Sequence, residues 1–577
     1  MANDKDELMP GMNSKHQLSN PDFQQKAIPV FLFCFSLIIN LLILSQYLNS
    51  PFAQGLIDDA DVYWKWGQRI AAGDWMGKAI FHQSPLYPYF LSLIVLLFGK
   101  TLLPVYLVQA VLSASSTILI YSITKKISDS MLVGFSAGVL FALYGMQVFY
   151  STKILSECLS IFLMLAAVRL LLSGMDSKTK SFFAGMFFGL LLFAKPQLMI
   201  ATPLLILYFY IVKGNRRSFL TATCSFLLPM IILVTIVAVR NYTVEKDFIL
   251  ITSNGGENFF IGNNEKANGV YSPIEGVSAD IVYQNEDAIA VAQQKTGRTL
   301  KRSGVSSYWF HQGLNFIAQH PMKYMKLEWM KCKWMFSGMA YSMMYDLRFE
   351  RQHFTKSFGI PFINFYMLFP VFIVGIFITL SQWKRHFLLY VFLIVNMANI
   401  LLFFYDIRYM LLAMPFWIIF AAVALGRLLE IVKMKNFRRV WNRSFIIGLF
   451  IFCCASVLIY KNDSKKETLD WHLYTNLGDV NLKLNNLDAA FNAYEKAINL
   501  RGTNWMPLLG ICKVYFQKGE KEVAAQLYNG AFPNLDPDTK KLAMRDSDLE
   551  PIRQYIASND LEGKRRLQPP ASLLQNR

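Results

Sequence analysis

Three carboxylates lie close together in the segment that follows the first apolar run of the chain. Asp58, Asp59 and Asp61 fall within four residues. Apolar residues then recur at helical spacing: Val62, Trp66 and Ile70. This spacing predicts an amphipathic helix on a membrane interface, with Asp58 or Asp59 capping its N-terminus. One cap does not account for three carboxylates. Their repulsion and partial desolvation raise the cost of ionisation, which makes the cluster a candidate for acid–base chemistry.

A further carboxylate, Glu157, lies where an apolar run begins, four residues after Lys153. An isolated ionisable residue at the mouth of a membrane span is a candidate for function. The alternative is an ion pair between Glu157 and Lys153 across one helical turn. The sequence leaves both interpretations open.

The composition places these residues in a membrane protein. The chain has 577 residues, 54% hydrophobic and 17% charged, whereas about a quarter of an ordinary globular chain is charged. A span needs roughly 20 mostly apolar residues. Eleven runs are predicted to cross the membrane: 28–48, 104–123, 131–149, 154–172, 181–194, 197–212, 219–239, 358–380, 387–405, 409–429 and 445–460. We expect the shorter run Leu86–Phe98 to be a helix half inserted on the outer face.

The topology explains the net charge of +18. If Leu86–Phe98 does not cross, the basic clusters of five loops fall on one side: Lys125 and Lys126, Lys178 and Lys180, 213–217, 384–386 and 433–443. The positive-inside rule then predicts a cytoplasmic N-terminus and an outer C-terminus. This distribution disfavours a basic nucleic-acid-binding surface. The seven cysteines provide neither a disulfide framework nor a CxxC metal site.

Three parts follow from this organisation: a cytoplasmic tail (1–27), a transmembrane domain (28–460) and an outer helical domain (461–577). The transmembrane domain contains a first outer loop (49–103) and a large outer loop (240–357). In the last part, a 34-residue offset aligns Trp471 with Trp505 and Tyr494 with Tyr528. This period is typical of the tetratricopeptide repeat. Because two repeats rarely suffice alone, we expect a third helical unit after Pro537 or docking onto the membrane domain. The domain is interpreted either as a cap over the outer surface or as a groove for a peptide or protein partner.

The order of several short motifs resembles the polytopic GT-C glycosyltransferases. The closest group is similar to bacterial relatives of the protein O-mannosyltransferases and of lipid A aminoarabinose transferase. The resemblance covers residues 28–429 and rests on these residues: Asp59 four positions before Tyr63, Gly73-Asp74, Pro85-Leu86-Tyr87-Pro88-Tyr89, Glu157, Gly262-Asn263-Asn264, Arg408-Tyr409 and Pro415.

The resemblance implies an all-α, GT-C-like membrane fold and a chemistry. A sugar is transferred, with inversion, from a polyprenyl-phosphate carrier to an acceptor outside the cytoplasmic membrane. Asp59 holds the family position relative to Tyr63 and is predicted to be the general base, which takes the proton of the acceptor hydroxyl. Glu157 is predicted as a second catalytic residue. Asp58 and Asp61 are expected to support Asp59.

The leaving phosphate requires cationic donors. The candidates on the outer face are His82, Lys195, Arg240 and Arg408. Arg408 matches the family's Arg-Tyr position, and its alternative role is an ion pair with Asp406. Lys195 has the alternative of snorkelling to the interface. Aminoarabinose transferases carry a lysine before the Pro-Leu-Tyr stretch, where this chain has Gln83-Ser84. Another cation therefore replaces that lysine, or the phosphate is held differently.

The remaining predicted substrate-binding residues are Tyr63, Tyr87, Tyr409, Asn263 and Asn264. The two asparagines end a stretch rich in Gly and Asn, a composition that forms turns without help from function. The stretch is interpreted either as a structural turn in the large outer loop or as a binding segment for acceptor or sugar, acting through its amides and Tyr271.

The predicted partners are a polyprenyl-phosphate-linked sugar donor, a protein, lipid or glycan acceptor, membrane lipids and a protein bound by the repeats. A divalent cation remains open as a cofactor, with Asp59 and Glu157 as its candidate ligands. The predicted location is the bacterial cytoplasmic membrane. Two rival functions stay in view: a transporter or flippase, whose acidic residues would not gather on one face, and a membrane-anchored repeat scaffold, which would not require Asp59 or Glu157.

Overall fold

The computed structural model describes residues 21–173, 177–338, 341–356, 362–434, 470–500 and 505–559. Within these ranges the chain is almost entirely helical, and its only β-type pairings are two isolated bridges, Tyr144 with Ile363 and Val270 with Tyr405. The predicted all-α fold is confirmed. The predicted span 445–460 and most of the N-terminal tail lie outside the described residues, as do residues 435–443 of the last basic cluster.

The helices are, in chain order, α1 (Pro21–Tyr47), α2 (Asp58–Ala71), α3 (Leu86–Phe98), α4 (Leu103–Ser128), α5 (Met131–Ala142), α6 (Gly145–Ser151), α7 (Glu157–Ser173), α8 (Lys178–Ala194), α9 (Ala201–Val212), α10 (Arg216–Glu245), α11 (Gly255–Gly262), α12 (Ile281–Thr296), α13 (Arg302–Gln319), α14 (Pro321–Phe336), α15 (Leu347–His353), α16 (Phe365–Leu380), α17 (Trp383–Leu402), α18 (Ile407–Met434), α19 (Asp470–Lys483), α20 (Leu487–Leu500), α21 (Met506–Gln517), α22 (Lys521–Ala531), α23 (Pro537–Arg545) and α24 (Glu550–Ser558).

Five of the described helices are long and apolar enough to cross a membrane: α1, α4, α10, α17 and α18. Shorter apolar helices accompany them: α3, α5, α16, and α9 with the turn that precedes it. The predicted runs 154–172 and 181–194 correspond to α7 and α8, which have 17 residues each. The helix α3 has the bounds predicted from the sequence. Its exposed apolar side chains, Leu93, Leu96, Leu97 and Phe98, lie near its C-terminal end.

The predicted run 131–149 is divided between α5 and α6. The backbone leaves the helix at Leu143 and Tyr144 to pair with another segment: the Ile363 amide donates to Leu143 O (2.9 Å), and the Gly145 amide donates to Ile363 O (3.1 Å). Phe362 packs against Gly145, where an added Cβ would lie 3.1 Å from the Phe362 Cβ. Hydropathy did not reveal this break, because both halves are apolar.

The first outer helix, α2, begins at Asp58, but the expected side-chain cap was wrong. Ile57 occupies the N-cap position, and no side chain caps the helix. The carboxylates of the first turn point to other partners. The helix packs on α3 at Gly67, whose missing Cβ leaves room for the Leu91 side chain and the Pro88 carbonyl. This packing fixes the start of α2 over the ends of the membrane helices.

The repeat domain contains two helical hairpins, α19–α20 and α21–α22, followed by the shorter helices α23 and α24. The ring of Tyr494 lies between Gly478 and Gly510, since a Cβ at either glycine would overlap it. The Tyr494 hydroxyl donates to Asp479 Oδ1 at 2.7 Å. The helix α24 packs against α22, so α23 and α24 form the third helical unit that the sequence predicts after Pro537.

The repeat domain also docks onto the outer loops at both of its ends. At the first end, Arg348 Nη2 contacts Asp470 Oδ1 (2.5 Å), and Lys483 Nζ contacts Asp61 Oδ2 (3.0 Å). At the other end, Asp287 accepts from Lys541 (2.5 Å). It also accepts from the Arg545 guanidinium at 2.7 Å. These contacts hold the repeat domain against segments 49–103 and 240–357.

Candidate functional site

A cavity of about 1270 Å³ lies between the membrane helices, the large outer loop and the repeat domain. The predicted site residues that line it are Asp58, Asp59, Asp61, Tyr63, His82, Glu157, Lys195, Arg408 and Tyr409. They come from α2, the loop before α3, and the ends of α7, α8 and α18. The structure thus brings together residues that are up to 351 positions apart in the sequence, from Asp58 to Tyr409.

Arg408 bridges two carboxylates in the cavity. Its Nη1 donates to Asp59 Oδ2 at 2.6 Å. Its Nε lies 3.4 Å from Asp406 Oδ1, and its backbone amide donates to the same oxygen at 2.8 Å. Asp406 precedes α18 and caps its first turn, so it holds the backbone of Arg408 in place. The alternative ion pair with Asp406 is therefore present, and the arginine contacts Asp59 as well.

Glu157 pairs with Lys195, and Lys153 has a different partner. The Glu157 Oε1 to Lys195 Nζ distance is 2.9 Å, and both side chains are buried. Within the part of the chain that the structure describes, Glu157 Oε2 has no hydrogen-bond partner. Lys153 Nζ instead contacts Glu350 at 2.6 Å. The alternative interpretation, a Glu157–Lys153 pair, is therefore excluded, because α7 begins at Glu157 and Lys153 does not lie one turn earlier on a helix.

Asp58 and Asp61 lie beside Asp59 in the first turn of α2. Asp58 adopts φ = 44°, a left-handed conformation that is uncommon for a residue other than glycine. Enclosure by protein and the negative charges of Asp59, Asp479 and Asp280 raise the pKa of Asp58 to about 7. Asp61 accepts from Lys65 and Lys483, each at 3.0 Å. Near neutral pH, a proton on Asp58 therefore lowers the negative charge beside Asp59.

His82 faces Glu257, a residue that sequence reasoning did not select. The two side chains approach to 3.6 Å, and His82 Nδ1 lies 3.3 Å from Ser253 Oγ. Burial raises the pKa of Glu257 to about 8. Burial and the charge of Arg302 lower the pKa of His82 to about 4. At neutral pH the two groups form a neutral pair, so His82 does not supply a positive charge to the cavity.

Replacing Glu257 by Gln is expected to flatten the pH dependence of stability. Because the pKa of Glu257 is raised on folding, its contribution to stability is complete below about pH 4.5 and is lost as the pH rises towards about 8. Glutamine does not titrate, so the midpoint of thermal unfolding of Glu257→Gln should fall less than that of the wild type between about pH 5 and about pH 8. Parallel wild-type and variant curves would contradict the assignment.

Four predicted substrate-binding residues lie away from the cavity lining: Tyr87, Arg240, Asn263 and Asn264. Tyr87 OH donates to Gln109 Oε1 at 2.8 Å. The Arg240 guanidinium donates to Met76 O (2.7 Å) and Ala79 O (2.8 Å) and stacks 3.7 Å from the centre of the Phe81 ring. These side chains hold the first outer loop in place.

The hydrogen bonds of the two asparagines support the interpretation of their segment as a structural turn. Asn263 donates to Phe259 O and Leu402 O, both at 2.8 Å. Asn264 donates to Phe260 O at 2.8 Å. A Cβ on the preceding glycine, Gly262, would overlap the Phe403 carbonyl. The motif therefore joins α11 tightly to the end of α17, while Tyr271 from the same loop does line the cavity.

Several cavity residues lay outside the sequence-based selection. Asp406 could have been found from its position two residues before Arg408. Asp280, Asp479 and Asn399 carried no local signal, since their place in the cavity depends on how distant segments pack. Among the described residues, no group of three or more His, Cys, Asp or Glu side chains is arranged to hold a metal ion.

Comparison with known proteins matches two segments of the chain. Residues 82–241 match the family described as dolichyl-phosphate-mannose-protein mannosyltransferase. This segment includes His82, Glu157 and Lys195, whereas Asp59 and Arg408 lie outside it. Residues 472–504 match the tetratricopeptide repeat. No curated protein matches the chain significantly.

Among solved structures, the chain is similar to the oligosaccharyltransferase of Archaeoglobus fulgidus. The apo crystal structure of that protein gives a TM-score of 0.42 at 12% identity, over 78% of this chain and 57% of the other. The complex of the same enzyme, AglB, with an inhibitory peptide and a dolichol-phosphate gives 0.39 at 14% identity, over 79% and 58%. The chain thus spans less than two thirds of the length of these structures. The two family matches agree with the resemblance seen in the sequence: residues 82–241 are similar to the dolichyl-phosphate-mannose-protein mannosyltransferases, which are membrane glycosyltransferases, and residues 472–504 match the tetratricopeptide repeat.

Proposed function

We propose that the protein transfers a sugar from a polyprenyl-phosphate carrier to an acceptor hydroxyl, with inversion and with Asp59 as general base. The observation that carries this proposal is the contact between Asp59 and Arg408 in the same cavity as the Glu157–Lys195 pair. A carboxylate and two cations in one enclosed space are the groups that such a transfer requires. The family match over residues 82–241 supports glycosyl transfer.

The residues divide the reaction between them. Asp59 takes the proton from the acceptor hydroxyl as that oxygen attacks the anomeric carbon. The bond from this carbon to the phosphate oxygen breaks on the opposite face, and the carrier phosphate leaves with the electron pair. Lys195 and Arg408 each donate only part of their hydrogen-bonding capacity to carboxylates, and their remaining N–H groups are available to the leaving phosphate. Glu157 positions Lys195 through the 2.9 Å contact.

The proposed location is the cytoplasmic membrane of a bacterium, with the cavity and the repeat domain on the outer side. The basic loops support this orientation, since Lys125, Lys126, Lys178, Lys180 and the 213–217 cluster all fall on the side opposite to the cavity under the predicted topology.

The test uses the full-length protein in lipid nanodiscs with a panel of radiolabelled polyprenyl-phosphate sugars. We expect release of polyprenyl phosphate from one member of the panel together with label in an acceptor, and NMR of the product should show inverted anomeric configuration. A rival transporter or flippase would move the lipid-linked sugar across a vesicle membrane without forming a glycosidic bond. That outcome, or no consumption of any donor in the presence of membrane extract as acceptor source, would contradict the proposal.

A further inference from the structure

The repeat domain supplies one wall of the cavity that contains Asp59. One face of α19 lines it through Trp471, Thr475 and Asp479, which recur every four residues. The first helix of the second hairpin, α21, contributes Lys513 and Gln517 at the same spacing. Because residues four apart lie on the same side of a helix, these side chains form a continuous surface directed at the cavity. The repeat domain is therefore part of the site.

This wall is held firmly against the outer loops. Near the first hairpin, Asn476 Nδ2 donates to Met343 O at 3.0 Å, and Lys483 Nζ donates to Leu56 O at 2.9 Å. At α23, Tyr283 OH donates to Arg545 O at 3.0 Å, and the Gly276 amide donates to Asp538 Oδ2 at 3.2 Å. The cavity that contains Asp59 is thus lined both by this wall and by the loop that carries Asp280.

The size of the cavity exceeds what one sugar requires. Sites for small molecules have volumes of about 300–1,000 Å³, and this cavity has about 1270 Å³. Its inner end, at Arg408 and Lys195, is assigned to the sugar phosphate under the proposed function. The outer end, between α19, α21 and the loop that carries Asp280, remains for the acceptor.

The outer end is acidic, although the chain as a whole carries a charge of +18. Six carboxylates line it: Asp58, Asp61, Asp280, Asp479, Asp546 and Asp548. Two lysines accompany them: Lys513 contacts Asp546 at 2.6 Å and Asp548 at 3.7 Å, and Lys483 contacts Asp61 at 3.0 Å. Because the pKa of Asp58 is raised to about 7, the surplus of negative charge rests on the other carboxylates, which still outnumber the lysines. The first outer loop, the large outer loop and the repeat domain all contribute to it. Such a surface attracts a cationic partner and repels an anionic one.

We propose that the outer end of the cavity binds a polypeptide acceptor that carries Lys or Arg beside its hydroxyl residue. This inference rests on the proposed function. Neutral glycans can donate hydroxyl hydrogen bonds to the carboxylates but bring no charge, and polymers with phosphate or carboxylate groups are repelled by them. Lys and Arg side chains supply the complementary charge. The repeat domain thereby selects the acceptor.

The test measures binding and transfer separately. Three fluorescent nonapeptides with a central Thr, flanked by Lys, by Ala or by Glu, are titrated by fluorescence anisotropy against the full-length protein in nanodiscs. We expect the Lys peptide to bind about tenfold more tightly than the Glu peptide at low salt, with the difference shrinking as salt is added. A neutral oligosaccharide that competes as well as the Lys peptide would overturn the inference.

Substitutions of individual carboxylates test which of them cause the preference for the Lys peptide. Asp479→Asn keeps an oxygen that can accept from the Tyr494 hydroxyl, and Asp548 is largely exposed, so both variants should fold. The double variant Asp479→Asn/Asp548→Asn should reduce the Lys-over-Glu preference about threefold or more. The control is Glu522→Gln, an exposed carboxylate on α22 outside the cavity lining, which should leave the preference unchanged. An unchanged preference in the double variant would also overturn the inference.

The transfer assay separates the two proposals. If donor is consumed but the label enters peptides regardless of flanking charge, the proposed function holds and the acceptor inference fails. If the Lys peptide binds selectively but no donor is consumed, the acidic surface is real and the proposed function fails.

Discussion

Replacing Asp59 by Asn is expected to lower the rate of sugar transfer by about 10²–10⁴-fold, the range that a general base contributes. The change removes one negative charge and keeps the shape of the side chain. The amide oxygen of the introduced asparagine still accepts from Arg408, which contacts the wild-type carboxylate at 2.6 Å. The loss should therefore reflect proton transfer. The measurement is label incorporated into the acceptor by full-length protein in nanodiscs, compared at equal folded concentration.

The matched control for Asp59→Asn is Asp488→Asn. Asp488 is highly exposed on α20 and pairs with Lys518, and both residues lie outside the cavity lining. Asp488→Asn makes the same chemical change, and the transfer rate of this variant should equal that of the wild type. Thermal unfolding of Asp59→Asn should show an intact fold. A folded Asp59→Asn variant with full activity would exclude Asp59 as the base.

The sequence predicted the secondary structure around the site better than the contacts between its side chains. The acidic turn before α2 and the bounds of α3 followed from apolar spacing and length alone. The contact between Asp59 and Arg408 spans 349 residues, and no local pattern encodes it. The family resemblance named both residues because their order in the chain is shared. It did not show that they touch, since this depends on the packing of α2 over the start of α18.

The contacts of Lys153, Arg240 and the two asparagines depend on local backbone geometry. The spacing of Lys153 and Glu157 predicts an ion pair only if both residues are on one helix. The chain between α6 and α7 is irregular at Lys153, so its side chain points elsewhere. Arg240 was a candidate for binding the leaving phosphate, and the segment of Asn263 and Asn264 was interpreted either as a structural turn or as a binding segment. In the structure, the N–H groups of Arg240 and Asn263 donate to backbone carbonyls in tight loops. Buried carbonyl groups need such donors.

The pair formed by Lys153 and Glu350 joins three parts of the transmembrane domain. Lys153 Nζ lies 2.7 Å from Oε1 and 2.6 Å from Oε2 of Glu350, and both side chains are almost completely buried. The ammonium group also lies 3.9 Å from the ring centre of Tyr47 on α1 and 4.7 Å from that of Tyr345. The contact thus ties α1, the loop before Glu157 and the helix α15 together. That helix leads directly to the segments that dock the repeat domain, through Arg348.

Lys153→Met is expected to destabilise the protein by about 3–5 kcal/mol, since it leaves the Glu350 carboxylate buried without its cation. The variant Lys153→Met/Glu350→Gln removes both charges and should regain most of this loss, because a buried ion pair contributes little beyond a neutral replacement of similar volume. Thermal unfolding of the full-length protein in nanodiscs measures both variants, with size-exclusion chromatography to report the folded fraction. If the single and double variants are destabilised equally, the role of Lys153 is packing against the aromatic rings. A single variant as stable as the wild type would show that Glu350 finds another partner or water, and that the pair does not hold α15 in place.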